Sequence, residues 1–164
     1  MLDVRSRNLG EEHPDTISMI LQVCTYMNLG KYEDTEKLQI KALDLRNRLL
    51  GEEHPDTITA ISDLAFTYGR LGKYADAEKL QVRVLDLRNR FLGEEHPNTI
   101  SAISNLGVTY KSLGKYGDAE RFHITVLDVR NRFLGEEHPD TISAMSNLAN
   151  TYESLGKYAD AEKL

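Results

Sequence analysis

Four histidines have the neighbours of a metal site. His13, His54, His96 and His138 each follow two glutamates and precede a proline, in the string Leu-Gly-Glu-Glu-His-Pro that starts at Leu9, Leu50, Leu92 and Leu134. Imidazole and carboxylate both bind zinc, with nitrogen at about 2.0–2.1 Å from the ion. The spacing argues against that chemistry. Histidines in equivalent turns of stacked helices form a ladder with rungs on the order of 8–10 Å apart, too far for two to share one ion. Helix capping suits them better. Proline is tolerated in a first helical turn because its missing N–H would be unpaired there anyway. His96, or the neighbouring Asn98, is placed to cap the helix that follows. No metal and no cofactor is expected.

Covalent catalysis has no better footing. Cys24 is the one cysteine, and His13 lies before the same helix. Serines are frequent, but none is set with a histidine and an acid within one repeat. The glutamate pairs (Glu52-Glu53, Glu94-Glu95) recur at each turn, as a structural feature does, whereas an active site is a constellation found once. The chain reads as non-enzymatic. One cysteine and no Cys-x-x-Cys exclude an internal disulfide and point to a reducing, cytoplasmic setting. No run approaches the roughly 18 apolar residues of a membrane span, and Met1-Leu-Asp-Val-Arg has no apolar signal segment. A net charge of −6 leaves no basic footprint for nucleic acid.

The elements that position these residues repeat. Leu50, Leu92 and Leu134 stand 42 residues apart, and Leu-Gly-Lys-Tyr recurs at Leu29, Leu71, Leu113 and Leu155. Residues 51–92 and 93–134 share 28 of 42 positions. A fixed period of this size is the mark of a solenoid, whose units bury apolar surface only against their neighbours. Each repeat predicts two helices. In the third, Ile100, Ile103, Leu106, Gly107 and Tyr110 draw one stripe, and Leu113-Gly114 ends it with a left-handed cap. In the second repeat, the second helix runs from about Lys73 to Leu92, with Leu80, Val84, Leu87 and Phe91 on one face. The pairs Asp44/Arg48, Asp86/Arg90 and Asp128/Arg132 sit four apart on a solvated side and add about 0.2–0.5 kcal/mol each. The first repeat lacks one residue between Ile17 and Thr25, which turns the rest of that helix by about 100°.

The chain therefore divides into the end of a preceding second helix (1–9), repeat 1 (10–50), repeat 2 (51–92), repeat 3 (93–134) and a partial repeat 4 (135–164). Residues 157–164 match the start of a second helix, so the two ends are nearly complementary halves. Two readings follow: an excised piece of a longer array, or head-to-tail stacking between molecules through open ends.

The repeats resemble tetratricopeptide repeats. Ile103, Leu106, Gly107 and Tyr110 fall on that family's Trp-x2-Leu-Gly-x2-Tyr pattern, as do Ile61, Leu64, Ala65 and Tyr68, and Met145, Leu148, Ala149 and Tyr152. Gly114, Tyr116 and the small Ala77, Ala119 and Ala161 match its turn and helix crossing. Three features depart. The tryptophan is replaced by Ile or Met. Gln81 or His123 stands where a large aromatic is expected. The repeat is 42 residues long rather than 34, with eight residues added at the end of the second helix. The longer repeat resembles the kinesin light chain subtype and arrays of fungal and bacterial proteins that follow a nucleotide-binding signalling module, although no phosphate-binding motif occurs here.

The resemblance implies an all-α fold, a right-handed α-solenoid of antiparallel helix pairs with about four repeats and truncated end helices. It also implies a concave face, lined by first helices, that binds a protein or peptide partner. The positions carried over are Cys24, Met27 and Asn28 in the first repeat; Thr59, Ser62, Phe66, Gly69 and Arg70 in the second; Ser101, Ser104, Val108, Lys111 and Ser112 in the third; and Ser143, Ser146, Asn150, Glu153 and Ser154 in the fourth. Asn105 and Asn147 are placed either to bond a peptide backbone or to bond the neighbouring repeat. Arg70 and Lys111 suit acidic side chains on the ligand. The carboxylate clamp of chaperone-binding members is not reproduced.

Overall fold

The computed structural model describes Val23, Tyr26 and residues 29–164. Expectations for residues 1–9, His13, Cys24, Met27, Asn28 and the shortened first helix lie outside these residues. Among the described residues there are seven helices and no strand: α1 (Tyr32–Leu50), α2 (Pro55–Arg70), α3 (Tyr74–Leu92), α4 (Pro97–Ser112), α5 (Tyr116–Leu134), α6 (Pro139–Ser154) and the short α7 (Tyr158–Ala161). First helices of 16 residues (α2, α4, α6) alternate with second helices of 19 (α1, α3, α5).

Each first helix starts on the same device. Nδ1 of His54, His96 and His138 accepts the backbone N–H of Asp56, Asn98 and Asp140 at 3.2, 3.1 and 3.1 Å, and proline follows at once in the first turn. The imidazole is the cap in the third repeat, not Asn98. A side-chain cap is worth about 1 kcal/mol to a helix. The Arg-Asn-Arg stretch closes the same turn from outside. Its first arginine donates to a carbonyl of the following helix's first turn: Arg46 to Asp56, Arg88 to Asn98 and Arg130 to Asp140 at 3.2, 2.9 and 2.8 Å.

The opposite end of each pair is a glycine turn. Gly114 has φ 74°, its N–H reaches the Lys111 carbonyl, and the Lys115 N–H reaches the Tyr110 carbonyl. Only glycine takes that left-handed backbone without strain. The lysine of Gly-Lys-Tyr then ties consecutive repeats. Lys73 lies over the Tyr68 ring and donates to both Glu36 oxygens at 2.7 Å. Lys157 does the same with Tyr152 and Glu120 at 2.7 and 2.8 Å. These hydrogen bonds hold both ammonium groups above the usual lysine range.

The chain forms two compact bodies, Met1–Leu80 and Gln81–Leu164. In the first, α1 packs on α2, and Ile58, Ile61, Leu64, Ala65 and Ala77 are buried. In the second, α4 packs on α5, α5 on α6, and α6 on α7. Its core gathers Ile100, Ile103, Val126 and Ala144, with Phe122, Leu127 and Val129 against them. Tyr110 stacks on Phe122 with centroids 5.4 Å apart.

Two sequence expectations need correction. Phe91 does not share the buried stripe of Val84 and Leu87: it is 51% exposed, and Phe133 is 60% exposed. Second helices are three residues longer than first helices, so the last turn has less apolar surface to meet. Arg132, expected to pair with Asp128, is instead bonded to Glu95, because the end of α5 lies beside the loop that opens α4. The Asp44–Arg48 pair forms as expected, at 2.6 Å.

The α4–α5 crossing holds the most unusual packing. His123 stands where an aromatic is expected and is only 2% exposed. Its Nδ1 lies 2.9 Å from Thr151 Oγ1. Gly107 faces its ring so closely that a Cβ there would lie 2.6 Å from Nε2 and 2.7 Å from Cδ2. Burial, assisted by the positive charge of Lys111, pushes the imidazole down to about 4.

Candidate binding surface

The surface residues sit on first helices whose opposite sides are held in the cores above. On α2, Thr59, Phe66 and Arg70 are exposed, and Ser62 and Gly69 are half-buried. On α4, Ser101, Asn105, Val108 and Ser112 are exposed, and Ser104 and Lys111 are half-buried. On α6, Ser143, Ser146, Asn150, Glu153 and Ser154 are exposed, and Asn147 is half-buried. Within the second body α4 and α6 touch, which brings the third- and fourth-repeat residues onto neighbouring helices. The α2 set belongs to the first body. Cys24 and Asn28 are outside the described residues.

The hydroxyl-rich composition has a definite hydrogen-bonding sense. Thr59, Ser101 and Ser143 donate to the carbonyls of Pro55, Pro97 and Pro139 at 3.0, 2.9 and 3.0 Å. Ser146, Ser112 and Ser154 donate to Ile142, Val108 and Asn150 at 3.0, 3.1 and 2.9 Å. Each hydroxyl proton is committed to its own helix, so what remains for a ligand is an acceptor lone pair. In the second body, donors must come from Asn105, Lys111 and Asn150; on α2, in the first body, Arg70 is the donor. Apolar contact comes from Val108 on α4 and Phe66 on α2, both exposed.

Arg70 is not a loose cation. Its Nε donates to Tyr32 Oη at 3.2 Å, and its guanidinium lies 5.3 Å from the centre of that ring. The sequence reading missed Tyr32, which is the tyrosine of the preceding Gly-Lys-Tyr turn. That motif's period was the available signal. The stacking fixes the arginine's direction and leaves its other nitrogens for a carboxylate. Among the described residues, no group of three histidines, cysteines or acids could hold a metal ion, and no helix is long and apolar enough to cross a membrane.

The tetratricopeptide repeat family profile matches residues 25–81, 59–124 and 112–164. No curated protein sequence matches the chain. Solved structures do. The nearly identical TPR-like repeats of a Podosopora anserina kinesin-light-chain-type protein superpose with TM-score 0.77 at 23% identity, over 98% of this chain and 76% of that one. BtubC (BKLC) from P. vanneervenii gives 0.81 at 26% identity, over 97% and 64%. The first TPR domain of human RPAP3 gives 0.61 at 19% identity, over 88% and 94%. The first and third of these show a shared fold. That fold is an α-solenoid of helix pairs.

Proposed function

Because this chain belongs to the tetratricopeptide repeat family, whose repeats mediate protein–protein interaction, we propose that it is a non-enzymatic cytoplasmic scaffold that binds a peptide or protein partner on the exposed sides of its first helices. The observation that supports this reading most is the division of labour on α4 and α6. Helix-committed serine hydroxyls supply preset acceptors, while Lys111, Asn105 and Asn150 supply donors around the apolar Val108. An extended or helical peptide needs both senses of hydrogen bond and a place for one apolar side chain. Lys111 selects acidic side chains on it. Titrating an acidic peptide recovered from a peptide array against Lys111→Ala and Asn150→Ala protein is the direct test. We expect Lys111→Ala to weaken binding by about tenfold, the size of a moderate hot spot, with smaller losses for Asn150→Ala and Val108→Ala. Unchanged affinity in all three would reject this face.

A further inference from the structure

We propose that a cleft at the far end of the α4–α5 pair is a second docking site, for a partner segment that presents one aliphatic or aromatic side chain flanked by lysine or arginine. The cleft has a volume of about 470 Å³ and lies wholly within the second body. Its apolar wall is Pro97 and Ile100 of α4 with Val129, Phe133 and Leu134 of α5. It sits at the C-terminal end of α5, beside the loops that precede α4 and α6.

The polar groups of the wall are already engaged. Arg130 donates to the Asp140 carbonyl at 2.8 Å, His138 Nδ1 accepts the Asp140 N–H at 3.1 Å, and Ser101 donates to the Pro97 carbonyl at 2.9 Å. Arg132 is bonded to Glu95 and lies over the Phe133 ring. With these committed, the cleft offers an entering group apolar contact. A pocket of this size accommodates one large side chain with room to spare, and a buried anchor side chain is where an interface concentrates its affinity.

Charge decides the occupant. The wall and its two loops carry five carboxylates, Glu94, Glu95, Glu136, Glu137 and Asp140, against the two guanidinium groups of Arg130 and Arg132. The excess is negative. It attracts lysine and arginine and repels the acidic segment proposed for the α4–α6 face. A second copy of this chain is a poor occupant, since it carries the same acidic loops and a net charge of −6. The site does not depend on the reading of the α4–α6 face.

The test is a random peptide library displayed on phage and panned against the whole chain. Recovered peptides should share an aliphatic or aromatic residue between lysines or arginines. Their affinity should fall by about tenfold in Phe133→Ser, since truncating an anchor contact removes a hot spot. It should also fall several-fold on a charge reversal, Glu136→Lys with Glu137→Lys, and as salt rises from about 0.05 to about 0.5 M. Phe133 and both glutamates are exposed, and an unchanged circular dichroism spectrum checks that the variants fold. Three results would overturn the assignment: no such consensus, peptides that bind Phe133→Ser normally, or peptides lost in Lys111→Ala but kept in Phe133→Ser. Concentration-dependent self-association that Phe133→Ser removes would overturn the choice of occupant in favour of a second copy.

Discussion

Stability is expected to fall by roughly 3 kcal/mol as the pH drops from 6.5 towards 4, and His123 is the cause. In the folded chain the imidazole is buried against Gly107, bonded to Thr151 and close to the positive Lys111, so it stays neutral down to about 4. In the unfolded chain it takes a proton near 6.5, its ordinary value. Between those values the unfolded state holds the extra proton, and acid therefore favours unfolding. Above 6.5 the full stability is present, and below about 4 the loss is complete. Denaturant midpoints measured at steps of pH should trace this slope in the parent chain and a flatter one in His123→Gln. Glutamine is the residue that Gln39 and Gln81 supply at the equivalent positions, both buried. Equal slopes in the two proteins would refute the assignment.

Gly107→Ala is expected to destabilise the fold by about 1–2 kcal/mol, although alanine is the better helix former by about 1 kcal/mol. The added methyl group would meet the His123 ring at 2.6–2.7 Å and Phe122 Cβ at 3.3 Å. The ring is tethered through Nδ1 to Thr151, so it cannot swing away without losing that bond. Overpacking of this kind typically costs about 1–3 kcal/mol. In a His123→Gln background the same change should become neutral or stabilising, since the second repeat combines Ala65 with Gln81 at the matching positions. A double-mutant cycle measures the coupling directly. Simple additivity would show that the glycine and the histidine are independent.

These two residues mark where sequence reasoning stops. His123 was legible only as a missing aromatic, and Gly107 only as a match to a small-residue position. Neither pattern says that the His123 ring fills the space a side chain at position 107 would need, because the two residues lie on different helices and meet at the α4–α5 crossing. The candidate surface was half legible. Its positions were implied by the resemblance to tetratricopeptide repeats, and those among the described residues are exposed or half-buried. That the serines donate inward, and that Tyr32 holds Arg70, depends on rotamers and on a neighbour 38 residues away.

The period, the paired helices and their starts and stops are local matters, written in spacings of three and four residues, in His-Pro and in Leu-Gly. They are determined by the sequence itself, because hydrogen bonds within a helix and at its caps join residues close along the chain. The tertiary structure decided which of the apolar positions lose water. Phe91 and Phe133 lie on the same helical repeat as buried neighbours and yet stay exposed. Burial depends on what stands opposite a side chain. That is set by the relative lengths of packed helices, which no periodicity within one helix records.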